Sequence, residues 1–187
     1  MHILIIGGGG VVGQKLARSL AARGQLRGKA IRKITLADIV DPAMVEAPFD
    51  VECVACDISN PASVAATLGA DVDVIYLLAA IVSAHAEEDF DAGLSINLMG
   101  TLNVLQRARE LRTKPVVVFT SSIAVYGGEV PDPILDHSFL NPQTSYGAQK
   151  AMGELLVNDF SRKGYIDGRG FRLPTISVRP GKPNRAA

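Results

Sequence analysis

Three side chains carry the chemistry available to this sequence: Ser122, Tyr146 and Lys150. Tyr146 and Lys150 stand four apart in the stretch YGAQK, so on a helix both project from one face. A free tyrosine has a pKa of about 10 and is a poor base near neutral pH. An ammonium one helical turn away favours the phenolate. The pair is therefore expected to bring Tyr146 down to where it can take a proton from a substrate alcohol, or return one. Ser122 closes the run Thr120-Ser121-Ser122 and can hydrogen-bond the same substrate oxygen. The plain alternative is a surface pair with the tyrosine packed on its neighbour.

Proton transfer from an alcohol needs an acceptor for the departing hydride, and the N-terminus offers a seat for one. Ile3 to Ile6 form a short apolar run, as a strand buried on both faces requires. Four glycines follow, then Val11, Val12 and Gly13, giving Gly7-x-x-Gly10-x-x-Gly13 between a strand and a helix start. Glycine allows a tight turn and lets a phosphate approach without meeting a Cβ. A helix beginning near Val11 and Val12 offers free N–H groups and a positive dipole end to a pyrophosphate. A glycine-rich turn that merely joins strand to helix is the alternative.

The second strand ends on Asp38, 25 residues after Gly13. That is close to the spacing of a carboxylate that holds the adenosine ribose, and a carboxylate repels a 2′-phosphate. Asp38 therefore argues for NAD over NADP; a loop aspartate capping a turn is the other reading. Asp57, followed by Ile58, either accepts from the adenine amino group or caps a turn ahead of the helix that Pro61 starts. Leu78, Ala79 and Ala80 are small and apolar, as suits a strand end passing under a dinucleotide. The positive nicotinamide ring would favour the phenolate further, and Lys150 could also hold the nicotinamide ribose.

The elements that must position these groups alternate. Strands are expected at 3–6, 31–37, 51–56, 73–80, 116–119 and 170–175. Helices are expected at Val11–Arg23, with Val12, Leu16 and Leu20 as the inner stripe, then from Pro61, at Glu87–Arg112 and at about Ser145–Arg162. Gln25 to Lys29 is read as a polar link and Asp41 to Phe49 as a loop. Leu94, Leu98, Leu102 and Leu105 fall on one face of the third helix. Asn97 lies inside it, and asparagine is a poor interior former. Either it faces solvent or it serves a kink and a side-chain network. Residues 129–143, with three prolines, form a long loop of the kind that is often functional. The pattern is α/β: a Rossmann-type doubly wound parallel sheet with helices on both faces.

Composition narrows the partners. The 187 residues suffice for one α/β domain, and 19 basic residues balance 19 acidic ones. No basic run stands out, so neither nucleic acid nor an anionic membrane is an expected partner. The longest apolar stretch, Val74 to Val82, is too short to span a bilayer. The N-terminus lacks the pattern of a signal peptide. Cys53 and Cys56, three apart in a strand, point to opposite faces and are expected to be buried, unpaired thiols. A cytoplasmic location is expected, and no metal.

Through GGGGVVG, Asp38, CDI, LLAA, NLMGTLNVL, TSSIAVYGG, YGAQK and RPGKP, the chain resembles the extended short-chain dehydrogenase/reductases. That family includes NAD-dependent sugar epimerases, dehydratases and dehydrogenases. The resemblance spans essentially the whole chain. It implies Tyr146 as proton acceptor, Lys150 as cofactor ligand and pKa modulator, Ser122 as substrate contact and Asn97 as the structural helix asparagine of the site. It also implies Pro174 as a cofactor contact and Thr175 as a substrate contact. The finer match is to members that oxidise the 2-hydroxyl of a four-carbon sugar acid with NAD. Arg179 could grip the carboxylate of such a substrate through its fork, or be a surface arginine.

Extended members run to roughly 300 residues with a C-terminal substrate lobe. The expectation is thus an NAD-binding domain over 1–175 and the start of a truncated lobe over 176–187. Two other functions fit the same residues: a nucleotide-sugar epimerase or dehydratase, and a non-catalytic NAD-binding fragment. A homodimer is also expected, through a second apolar face carrying Met99, Met152, Leu155 and Leu156.

Overall fold

A computed structural model of the chain describes residues 1–174. Thr175, Arg179 and the stretch 176–187 lie outside the described residues. The first strand, β1 (His2–Ile6), is buried along its whole length. Its side chains alternate between two cores: Leu4 and Ile6 enter one, Ile3 and Ile5 the other. Helix α1 (Val11–Arg23) follows the glycine turn and ends at Gly24 in the left-handed region. A two-residue hairpin, β2 (Gln25–Leu26) and β3 (Lys29–Ala30), occupies the stretch read as a polar link.

Next come β4 (Lys33–Asp38), β5 (Asp50–Ala55), α2 (Pro61–Thr67) and β6 (Val74–Leu77). The region read as one helix over Glu87–Arg112 begins inside a separate helix, α3 (Ser83–Glu88). It is then helical from Phe90 to Arg109 without a break, as α4 (Phe90–Gly93), a π turn (Leu94–Gly100) and α5 (Thr101–Arg109). Asp89 breaks the run because its side chain accepts from the Ala92 N–H and caps a new start. Then β7 (Val116–Ser122) leads through a short 3₁₀ turn to the loop, and α6 (Ser145–Arg162) and β8 (Asp167–Leu173) complete the described fold.

The main sheet has the order β5-β4-β1-β6-β7-β8, and every pairing in it is parallel. The order reverses at β1, so the carboxyl ends of β4, β1 and β6 open around one crevice. Helix α1 covers the face with Ile3, Ile5 and Leu36; α2, α5 and α6 cover the face with Leu4, Ile6, Val117 and Phe119. Cys53 packs toward the first face and Cys56 toward the second, as odd spacing requires; Cys56 is buried, but Cys53 on the edge strand is only half-buried.

Of the inner stripe expected for α1, Leu20 is buried and Leu16 packs against the core, but Val12 does not. Val12 is 52% exposed and Leu16 half-buried, while Gly13, Gln14, Ala17, Leu20 and Ala21 are buried. The first turn of the helix lies against the glycine turn, where a Cβ on Gly13 would already collide, so a small residue takes that contact. Leu94, Leu98 and Leu102 are half-buried, and only Leu105 of that series is fully inside. The π turn rotates the helix face, so a period of 3.6 does not carry through it.

Candidate functional site

The crevice at the reversal point is a cleft of about 210 Å³ lined by Gly7, Gly10, Asp38, Asp57, Ile58, Leu78, Ala79 and Ala80, with Ile39, Cys56, Ile81 and Ile96 beside them. Its floor is laced by backbone bonds between strand ends. The Gly7 and Gly8 N–H groups both donate to Ala37 O, and those of Leu78 and Ala79 to Ile6 O.

Two glycines are required by geometry. Gly7 has φ +94°, and a Cβ on it would stand 2.7 Å from the Ala79 nitrogen. A Cβ on Gly13 would collide with the Gly7 carbonyl oxygen. Gly10 has open space on its cleft side, its nearest neighbour being Gly7 O at 3.4 Å. As N-cap of α1 it supplies no side-chain acceptor, and the first turn holds no acid. The N–H groups of Val11 and Val12 are thus left for an anion, in a cradle that a Cβ would fill. These are the features a dinucleotide diphosphate needs, and the residues present fit the group.

Asp38 marks the other end. Its Oδ2 accepts the Gly9 N–H at 2.9 Å and its Oδ1 the Ile39 N–H at 2.8 Å. The carboxylate is therefore fixed at the rim of the glycine turn. Asp57 accepts the Ser59 N–H and hydroxyl at Oδ1, at 2.9 and 2.7 Å. That is a turn-capping role, although Asp57 also lines the cleft. Gln14, which the sequence does not single out, donates from Nε2 to Gly8 O and Ala43 O and ties the 41–49 loop to the turn.

Ser122, Tyr146 and Lys150 do not line this cleft. They gather beyond it, at the carboxyl end of β7 and the first turns of α6. Thr144 caps α6, its hydroxyl accepting from Gly147 N–H, and Glu87 accepts the Ser145 N–H. A Cβ at residue 147 would strike Ala124 O, so a glycine there lets the helix start abut the turn after Ser122. Lys150 is 3% exposed; its Nζ donates to Thr120 O at 2.9 Å and stands 5.6 Å from the Tyr146 ring centroid and 4.9 Å from that of Phe119. Ser122 Oγ accepts the Ala124 N–H.

The electrostatics correct one expectation. Burial raises Tyr146 above its ordinary value, and the nearby Ser122 hydroxyl draws it back only in part. Burial also lowers Lys150 to about 8. Both groups lose water, so each is pushed toward its neutral form, and the expected lowering of Tyr146 is not found in the free chain.

Asn97 is 2% exposed rather than facing solvent, and its amide bonds both backbone groups of Ile81 and the side chain of Gln149. The side-chain-network reading is the one that holds. Pro174 is exposed just past β8, away from the cleft lining. On the neighbouring side, Arg172 forks onto Glu154 at 2.9 and 2.7 Å, and also reaches the Tyr126 hydroxyl and Asp136 O. Burial pushes Glu154 up, but Arg172 and Ser121 outweigh it and hold the carboxyl below its usual range. This network anchors the 129–143 loop, whose Phe139 is 86% exposed.

A family model described as the NAD dependent epimerase/dehydratase family matches residues 3–184. The chain is 49% identical over its whole length to a protein of Cupriavidus necator named D-erythronate dehydrogenase, covering 59% of it. It is 44% identical to a protein of the same name from Haemophilus influenzae, covering 58%. A solved structure, described as the nucleoside-diphosphate-sugar epimerase from Agrobacterium tumefaciens, matches all of this chain at 50% identity and a TM-score of 0.94, with 56% of that chain covered. The chain thus spans somewhat more than half the length of these relatives.

Proposed function

This chain belongs to the NAD-dependent epimerase/dehydratase family, and from that premise we propose that it serves an NAD-dependent dehydrogenase that oxidises the 2-hydroxyl of a small sugar acid such as D-erythronate. The observation that carries the proposal is the juxtaposition of a buried Lys150 ammonium, 5.6 Å from the Tyr146 ring, with a glycine-cradled cleft one strand away.

The roles follow from the chemistry of each group. Asp38 accepts from the adenosine ribose hydroxyls and excludes a 2′-phosphate. The first-turn N–H groups at Val11 and Val12 take the diphosphate. When bound, the nicotinamide supplies the hydride acceptor and a positive charge. Tyr146 takes the hydroxyl proton as the phenolate. Lys150 holds the nicotinamide ribose and opposes the burial that keeps the phenol neutral. Ser122 holds the substrate oxygen. Arg179, outside the described residues, is the proposed carboxylate grip. The relatives named D-erythronate dehydrogenase support this substrate class.

A second reading, a nucleotide-sugar epimerase, is favoured by the likeness to the Agrobacterium tumefaciens epimerase structure at TM-score 0.94. Two readouts separate them: NADH absorbance with NAD and D-erythronate or L-threonate, and product analysis of a UDP-sugar for its epimer, a redox-neutral conversion that leaves no net NADH. Saturable NADH formation with the sugar acid supports the dehydrogenase; turnover of the UDP-sugar alone sinks it.

A homodimer would cover Met99, Met152 and Leu155, which are 47%, 37% and 64% exposed. Leu156 is half-buried and packs against the core instead. Light scattering at a monomeric mass would remove the dimer. Among the described residues no helix is long and apolar enough to cross a membrane.

A further inference from the structure

Gln149 lies beside Lys150 in the chain, and its side chain is 1% exposed. Its Oε1 accepts from Asn97 Nδ2 at 2.8 Å. Asn97 in turn grips the backbone of Ile81 twice: Oδ1 accepts the Ile81 N–H at 2.9 Å, and Nδ2 donates to Ile81 O at 3.1 Å. Ile81 is part of the cleft wall. A chain of three residues therefore joins that wall to the helix turn that carries Tyr146 and Lys150.

The surrounding backbone is shaped for this contact. Asn97 sits in the π turn, and the Thr101 hydroxyl donates to its carbonyl at 2.7 Å. Single π turns inside helices frequently mark functional sites. Gly93 stands directly ahead of the turn; a Cβ there would lie 2.5 Å from Gln149 Nε2. The same Nε2 has no hydrogen-bond partner among the described residues. Burying an amide N–H in that way is unfavourable. A methionine of similar length would remove that unpaired N–H but leave one N–H of the buried Asn97 amide without its acceptor, so on this count the two residues are nearly matched. What the glutamine adds is the Oε1 bond to Asn97.

We propose that Gln149 is a positioning residue: acting through Asn97, it fixes the turn bearing Tyr146 and Lys150 against the Ile81 wall of the dinucleotide cleft. The inference rests on reading that cleft as the NAD site and deepens that reading.

The test is calorimetric titration of NAD into the full chain, with thermal unfolding alongside, for the wild type, Gln149→Met, Asn97→Ala and the double variant. Gln149→Met exchanges one buried unpaired N–H for another and should leave the melting temperature within a few degrees of wild type while binding NAD about tenfold more weakly. The double variant should bind no more weakly than Asn97→Ala alone, because both act through one contact. Losses that add, or wild-type affinity in Gln149→Met, would overturn the proposal. Gly93→Ala crowds the same amide from the opposite side and must show the same weakening if Gln149→Met does not fold; wild-type affinity there would overturn it equally. A wild-type chain that binds no NAD brings down the reading of the cleft and this inference with it. Normal NAD binding with an unaffected Gln149→Met brings down this inference alone.

Discussion

The Asp38 carboxylate accepts the backbone N–H of Gly9 at 2.9 Å, so the acid at the end of β4 and the glycine turn after β1 form one rigid rim. Asp38→Ser should loosen that rim and remove the charge that repels a 2′-phosphate. NAD affinity should fall about tenfold, and the preference for NAD over NADP should shrink by more than that. Paired titrations with the two dinucleotides check it; unchanged discrimination would show that Asp38 does not face the ribose.

The glycines of the turn separate by role. Gly13→Ala forces a Cβ onto the Gly7 carbonyl, and overpacking of this kind costs about 1–3 kcal/mol. Gly10→Ala meets only an ordinary contact at 3.4 Å. The first should lower the melting temperature and abolish NAD binding. The second should leave the melting temperature within about a degree or two while weakening NAD, because its Cβ would enter the cradle proposed for the diphosphate. Equal stability of the two variants would contradict this assignment.

Lys150 gives a pH prediction with a definite sign. Burial lowers it from 10.5 unfolded to about 8 folded. The folded state therefore carries a penalty that is full below pH 8 and disappears as the pH rises to about 10.5. That shift corresponds to about 3 kcal/mol, offset in part by the bond to Thr120 O. Lys150→Met should stabilise the free chain by ~1–3 kcal/mol at pH 7, with the gain fading by pH 10 to 11. Denaturant unfolding at the two pH values measures it. A destabilised variant at pH 7 would mean that the ammonium is well paired.

The opposite end of the sheet governs acid stability. His2 is 4% exposed, bonds Thr35 Oγ1 through Nε2, and has Nδ1 3.3 Å from Asp71. Burial holds it below 6.5 despite Asp71. The unfolded chain then takes up the proton first, and stability falls as the pH drops below 6.5. Asp71, held to about 2 mainly by Arg32, adds a second loss between 3.8 and about 2. His2→Gln should flatten the upper part of this acid limb and leave the lower part. Melting temperatures between pH 7 and about 2 read it out; an unaltered upper limb would clear His2.

Tyr146→Phe should lower sugar-acid turnover by about 10²–10⁴-fold and leave NAD affinity within a few-fold. Because burial holds the phenol high, wild-type turnover should climb as the pH rises above about 7. A flat profile, or a phenylalanine variant as active as the wild type, would remove Tyr146 as the base.

Much of this was legible in the sequence for a physical reason. A strand buried on both faces must be wholly apolar, and His2–Ile6 is buried throughout. The helix expected at about Ser145–Arg162 is found at those residues, with Thr144 as the cap that fixes its start. Asp38 and the cleft glycines could be read because strand ends and tight turns restrict residue type. The break at Asp89 and the π turn at Asn97 could not, since slipping one hydrogen bond leaves no mark in hydrophobic period. Val12 misled because at the start of α1 packing distance, not apolarity, selects the inward residue, Gly13. Gln14 and Gln149 escaped notice because a glutamine looks like surface until its neighbours are known. The raised Tyr146 was hidden for the same reason: burial is a property of the fold.

The most direct test of the central claim is a crystal structure of this chain with NAD bound. The diphosphate should lie across the turn from Gly7 to Gly13, the adenosine ribose on Asp38, and the nicotinamide ribose on Lys150, with the Tyr146 hydroxyl facing the nicotinamide ring. A dinucleotide seated elsewhere, or a Tyr146 hydroxyl directed away from that ring, would contradict the account.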